Sequence, residues 1–142
     1  LENGELNRPA LREHIFQHPS ARQQLEDITH PAIRLSIIDQ LTQARSPYVI
    51  LVSPLLFETN QHLLTQRTLL IDASTEIQIL RASQRDGQSI EQIEKIIQAQ
   101  MPRYRKLDLA DDIAVNDEDN EQIYAQLQKI HLNYLNLSTH AE

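Results

Sequence analysis

The chain has 142 residues, with 13 basic against 20 acidic side chains and a formal net charge of −7. That length supports one domain, or one domain with a small appendage, around a core that needs no covalent staples. There is no cysteine, which excludes disulfides, thiolate metal sites and cysteine nucleophiles, and the acidic balance argues against a general nucleic-acid binder.

No apolar run approaches the roughly 18 residues of a membrane span and no signal-like start is visible, so no membrane partner is expected and a cytoplasmic location fits. The only glycines are Gly4 and Gly87, so a glycine-rich phosphate cradle is not among these residues. The first residues, Leu1-Glu2-Asn3-Gly4, read as the interior of a longer reading frame or as a trimmed one.

In chain order, Asn7 before Arg-Pro-Ala-Leu predicts an N-cap and a helix to about Phe16. Ser20 with Gln23 has the spacing of a capping box and predicts a second helix to about Ile28. His30-Pro31 predicts a third, because proline suits a first helical turn; Ile33, Ile37, Ile38 and Leu41 give it an apolar stripe before Arg45-Ser46-Pro47 ends it.

Tyr48 to Val52 is an unbroken β-favouring run, the pattern of a strand covered on both faces in a parallel sheet. Pro54 cannot donate to a ladder and ends it. Ligands of open parallel sheets sit beyond the carboxyl ends of strands, so Pro54, Leu55, Leu56, Phe57 and Glu58 fall where a substrate would lie.

A short helix is predicted near Gln61 to Leu64 and a second strand over Thr68 to Asp72. Ser74 or Thr75 then caps a helix to about Arg85, and Asp86-Gly87 makes a turn. Ser89 with Gln92 predicts a capped amphipathic helix through Met101. Pro102 restarts a short helix to about Leu109. Asp112 to Val115 is a third short strand, Asn116 to Asn120 is turn-prone, and Ile123, Leu127, Ile130, Tyr134 and Leu137 stripe a final helix. Strands separated by helical stretches give an α/β class with a parallel sheet, thin for its length.

Several constellations have chemical potential. His14 and His18 stand at metal-ligand spacing, but Pro19 interrupts the helix and no third ligand is near, so two solvated histidines is the better reading. Asp111-Asp112 could hold magnesium, yet neighbours on a strand face opposite ways, which favours a role at the strand's start. His30 is equally a ligand contact or a helix-capping or packing histidine. Glu58 orients a polar group or caps the following turn, and Leu55, Leu56 and Phe57 suit a core as readily as a ligand surface. Arg81 and Arg85 lie one turn apart, with Arg103 and Arg105 beyond a helical hairpin. Guanidinium forks match phosphate oxygens, and such a hairpin suits a lid over a nucleotide better than a solvated basic face.

Taken together, "LNRPALREHIF" (6–16), "HPAIR" (30–34), "SPYVILVSPLLFE" (46–58), "RASQRDGQS" (81–89), "AQMPR" (99–103) and "ADDIAVN" (110–116) resemble, in order, the dephospho-CoA kinase family. The resemblance spans nearly the whole chain. It implies a helix-rich α/β fragment of a P-loop kinase with a short parallel sheet, a helical substrate-binding region and a helical lid. The implied reaction moves the γ-phosphate of ATP to the 3′-hydroxyl of dephospho-CoA, the last step of coenzyme A synthesis, with ATP and Mg2+ serving the intact enzyme.

By the resemblance, residues 1–45 form the substrate (CoA)-binding region with His30 and Pro31 at its edge. Residues 46–80 carry core strands, 81–109 the lid, and 110–142 the last core strand and C-terminal helix. Pro54, Leu55, Leu56, Phe57 and Glu58 would line the dephospho-CoA site, Arg81, Arg85 and Arg103 would meet ATP phosphates, and Asn116 would approach adenine.

Two departures matter. Asn116 is followed by Asp117 and Glu118 where the family carries a second asparagine and a glycine. The family's leading segment, with its first strand, phosphate loop, magnesium-binding hydroxyl and base aspartate, has no counterpart in these residues. The chain as written is therefore expected to hold no catalytic residue, metal or cofactor of its own and to be inactive alone. In P-loop kinase sheets that first strand lies between those corresponding to Tyr48–Val52 and Thr68–Asp72, so its loss exposes edges and invites self-association or strand exchange. The competing identities are another small P-loop kinase of the nucleoside monophosphate type and a non-catalytic helical interaction module.

Overall fold

The computed structural model describes residues 6–118 and 120–139. Gly4 and the Asp119 of the expected turn lie outside that range. The chain divides into two compact units, Leu1–Ala44 and Arg45–Glu142. No described helix is long and apolar enough to cross a membrane.

The first unit is helical, with α1 (Arg8–Gln17) and α2 (Pro19–Gln43). Asn7 caps α1 as its sequence predicts, its Oδ1 accepting the Ala10 amide at 3.1 Å. His18, in extended conformation, closes α1 and precedes α2. The two helices expected over residues 20–45 are one: α2 runs through Pro31 without ending. Pro31 removes a single ladder N–H, whose partner carbonyl would be that of Asp27. Asp27 is exposed, so water can take that bond. The same turn is supported by Thr29 Oγ1 donating to the Leu25 carbonyl at 2.7 Å and Gln23 Nε2 to Asp27 Oδ1 at 2.8 Å. The Ser20–Gln23 capping box does not form, because the helix already starts at Pro19. Of the expected stripe, Ile37 and Leu41 are half-buried while Ile33 and Ile38 are exposed.

The second unit is built on two parallel strands, β1 (Leu69–Asp72) and β2 (Asp112–Val115), paired from Leu69↔Asp112 to Asp72↔Val115. Their crossover carries α3 (Thr75–Asp86), α4 (Ile90–Gln98) and α5 (Arg103–Leu109); α6 (Asn120–Thr139) follows β2. The α/β class with a short parallel sheet is therefore as the residue pattern indicates. Ala114 is fully buried, and Phe57, Ile93 and Ile123 are the other buried apolar residues among those described. α5 packs on β1, α6 on β2 and α3 on α4.

Gly87, with φ +62°, closes α3 in the left-handed conformation that suits glycine. The capping box at α4 is complete: Ser89 Oγ accepts the Gln92 amide and Gln92 Oε1 accepts the Ser89 amide, each at 3.3 Å. The helix ends at Gln98 rather than at Met101.

One predicted strand is absent. Tyr48–Val52 is irregular, with Val49, Ile50 and Val52 exposed by 48%, 67% and 86%. Propensity alone cannot make a strand; a strand needs a neighbour's ladder to take its amides and carbonyls. Among the described residues β1 and β2 pair only with each other. The segment is instead pinned through Tyr48, whose hydroxyl lies 2.5 Å from His131 Nδ1 and whose ring meets Tyr134 edge-on at 5.7 Å.

Candidate functional site

The carboxyl ends of β1 and β2 bring together three of the second unit's candidates, Arg81, Arg103 and Asn116, around Asp72. Asp72, the last residue of β1, is buried, with only 5% of its surface exposed. Arg103, at the start of α5, meets it as a fork: Nε donates to Oδ1 at 2.8 Å and Nη2 to Oδ2 at 2.5 Å. The hydrogen bond to Asp72, then its charge, raises the Arg103 pKa further above its ordinary value. The Arg103 side chain is 46% exposed, so its outer N–H groups remain open to an anion while Asp72 fixes its orientation.

The loop after β2 is held beside this pair. The Asn116 amide donates to the Asp72 carbonyl at 2.8 Å, and Asp117 Oδ1 accepts the Ser74 amide at 2.6 Å. Arg81, on α3, donates from Nη1 to the Asn116 carbonyl at 2.5 Å and from Nη2 to the Glu118 carbonyl at 3.1 Å. Gln126 of α6 brackets the same loop, accepting the Val115 amide and donating to the Val115 carbonyl, both at 3.0 Å. Arg81, expected at a phosphate, thus spends its fork on backbone carbonyls.

Pro54 to Glu58 forms a turn. Phe57 is buried, its ring 5.4 Å from that of His62, whereas Pro54 and Leu55 are exposed and Leu56 is half-buried. The Leu56 carbonyl accepts the Gln61 and His62 amides at 2.9 and 3.2 Å, opening a 3₁₀ turn over Gln61–Leu64. Asn60 adopts φ 55°, a left-handed conformation asparagine tolerates. Glu58 Oε1 accepts the Met101 amide at 3.0 Å and lies 3.5 Å from Lys106 Nζ. Partial burial pushes the Glu58 carboxyl up, but the Met101 amide, its own backbone amide and Lys106 together outweigh this and hold it below the usual range. Glu58 therefore ties the turn to the α4–α5 junction.

The other candidates make contacts of their own. Arg85 pairs with its exposed neighbour Asp86, Nε to Oδ1 at 2.7 Å and Nη2 to Oδ2 at 2.8 Å. His30 and Pro31 lie in the interior of α2, within the first unit. Asp111 and Asp112 sit at the amino ends of the strands and serve structure. Asp111 Oδ2 accepts both the amide and the hydroxyl of Thr68 at 2.8 Å, and Asp112 Oδ2 accepts Arg67 Nε at 3.0 Å and the Tyr134 hydroxyl at 2.8 Å. The Thr68 hydrogen bonds lower the Asp111 pKa, and the Arg67 bond lowers that of Asp112. Among the described residues no three carboxylates or histidines converge, and Asp72 and Asp117 each already accept hydrogen bonds.

Residue patterns did not single out Asp72, Asp117 or Gln126. An acid closing the apolar run Leu69–Ile71 was the available signal for Asp72; nothing in the spacing marks Gln126, which reaches β2 from a helix eleven residues on.

The family model for dephospho-CoA kinase matches residues 1–122. The dephospho-CoA kinase of Acinetobacter baylyi is 69% identical over 134 residues, covering 94% of this chain and 69% of that protein. The corresponding enzyme of Psychrobacter cryohalolentis is 43% identical over 139 residues, covering 96% of this chain and 60% of its own. A crystal structure from Thermus thermophilus superposes with a TM-score of 0.82 at 31% identity, over 92% of this chain and 68% of that one. The dephospho-CoA kinase of Campylobacter jejuni superposes with a TM-score of 0.67 at 26% identity, over 97% of this chain and 68% of that one. The chain spans 60% of the Psychrobacter relative's length and 69% of the Acinetobacter relative's.

Proposed function

Because the chain belongs to the dephospho-CoA kinase family, a family of phosphotransferases, we propose that it serves transfer of the ATP γ-phosphate to the 3′-hydroxyl of dephospho-CoA. Its share of that reaction is substrate-side and lid chemistry. The observation that carries the reading is the half-exposed Arg103 guanidinium held by buried Asp72 at the carboxyl end of β1. A preset cation at that end of a parallel strand suits the charge of a transferring phosphoryl group. The Asn116–Glu118 loop is bonded to Asp72, and Glu58 of the Pro54–Glu58 turn to Met101 and Lys106 before and after Arg103 in the chain, consistent with an adenine-facing and a dephospho-CoA-facing wall. His30 and Pro31 belong to the substrate side in the same scheme, and Arg85 becomes a phosphate ligand only if its pairing with Asp86 opens.

The phosphate cradle and the magnesium anchor have to come from outside these 142 residues, which hold only two glycines. The chain by itself is accordingly assigned substrate binding without turnover, in a cytoplasmic setting.

Calorimetric titration of the chain with dephospho-CoA, and in parallel with magnesium-ATP, tests the proposal. Binding of dephospho-CoA with little response to ATP is the expected result. Preference for a nucleoside monophosphate over dephospho-CoA, or heat from neither ligand both here and with a phosphate-loop segment restored, would overturn it.

A further inference from the structure

We propose that Arg81 is a positioning residue that straps the Asn116–Glu118 loop onto the root of α3, so that the loop and the lid's first helix move as one body. Three contacts carry the inference. α3 follows β1 almost directly, and the side chain of its N-cap, Ser74, makes no capping bond. Asp117 supplies one from outside the helix, its Oδ1 accepting the Ser74 amide at 2.6 Å, where unpaired N–H groups and the helix dipole favour an anion. Seven residues on, about two helical turns, Arg81 reaches back to the carbonyls on either side of Asp117, at 2.5 Å to Asn116 and 3.1 Å to Glu118. One helix thus grips three consecutive loop residues, while Gln126 fixes the preceding Val115 from α6.

The chemistry of the side chain matters. A guanidinium presents two outer nitrogens in a rigid fork and can bridge two carbonyls, whereas a lysine ammonium is one compact donor on a flexible stem. Because Arg81 is exposed, each bond adds little to global stability and much to local position. A displacement of the loop would pull α3, whose far end carries Arg85 and the Gly87 turn into α4. The link to nucleotide binding rests on the proposed adenine-facing role of the loop; the strap itself does not.

Amide exchange followed by NMR on the ligand-free chain tests it. Arg81→Met should speed exchange at the Ser74 and Asn116 amides by about tenfold, leaving the β1–β2 ladder amides and the urea midpoint unchanged. Arg81→Lys should behave like Arg81→Met, and Arg85→Met should match the parent chain. Unchanged exchange in Arg81→Met, full recovery in Arg81→Lys, or faster exchange spread evenly through β2 and α6 would each overturn the strap. No ligand enters the measurement, so its failure is separate from a failed dephospho-CoA titration.

Discussion

Replacing Arg103 by methionine leaves the Asp72 carboxylate buried with its ion partner gone. Breaking a fully buried ion pair by removing one member costs about 3–5 kcal/mol, mostly because the remaining charge is uncompensated. Here the carboxylate side chain is only 6% exposed but the guanidinium is 46% exposed, so solvent screens part of the attraction and can reach the vacated space. Discounting for that gives about 2 kcal/mol for Arg103→Met. Asp72→Asn removes the charge and releases Arg103 to water, for about 1 kcal/mol. Arg103→Lys keeps the charge but loses the fork and should fall between the parent chain and Arg103→Met.

The pair is in direct contact, so Asp72→Asn with Arg103→Met should destabilise by about 1 kcal/mol less than the sum of the single changes. Urea unfolding followed by circular dichroism measures this. With a slope of about 2 kcal/mol per molar, Arg103→Met moves the midpoint down by about 1 M. A shift within about 0.2 M, or strictly additive effects in the double variant, would refute the view of Asp72 as a buried charge that depends on its fork.

Three further outcomes follow from the same reasoning. Tyr134 is pushed up to about 12 from 10.0, by burial first and then by its bond to Asp112, so its contribution is intact below pH 10 and is lost as pH rises toward 12. Stability measured across that window should fall in the parent chain and flatten in Tyr134→Phe, which should also lose about 1–2 kcal/mol at neutral pH. Glu58→Gln should lose about 1 kcal/mol by weakening the bonds to Met101 and Lys106. Since the folded Glu58 carboxyl sits below its ordinary value, its contribution is present above the normal carboxylate range and disappears as pH falls through the folded value, a loss that acid titration of Glu58→Gln should lack. Finally, exposed Val49, Ile50 and Val52 should make the chain self-associate with rising concentration in sedimentation velocity, and Val52→Lys should reduce this; a single monomeric boundary at all concentrations would count against it.

What the residue pattern could and could not reveal divides along the range of the forces involved. Asn7 and the Ser89–Gln92 box act within one helical turn, so spacing alone identified them, as it did the short strand ending at Asp72. Tyr48–Val52 has equally strong local preference yet is irregular, because a ladder requires a partner from elsewhere in the sequence. The arginines divide on the same principle. Each has the chemistry to meet a phosphate, but Arg103 is oriented by an acid 31 residues away, Arg81 is committed to carbonyls 35 and 37 residues away, and Arg85 is taken by its immediate neighbour. A positive charge is therefore a weak guide to role until its nearest acceptor is known. The same holds for Asp111 and Asp112: as adjacent carboxylates they suggest a cation, yet their partners are Thr68 and Arg67, brought in by the pairing of β1 with β2, and Tyr134 of α6, which packs on β2. That register places acids of the two strands at opposite ends, with Asp111 and Asp112 locking the amino ends and Asp72 holding a cation at the carboxyl ends, where ligands of parallel sheets are found.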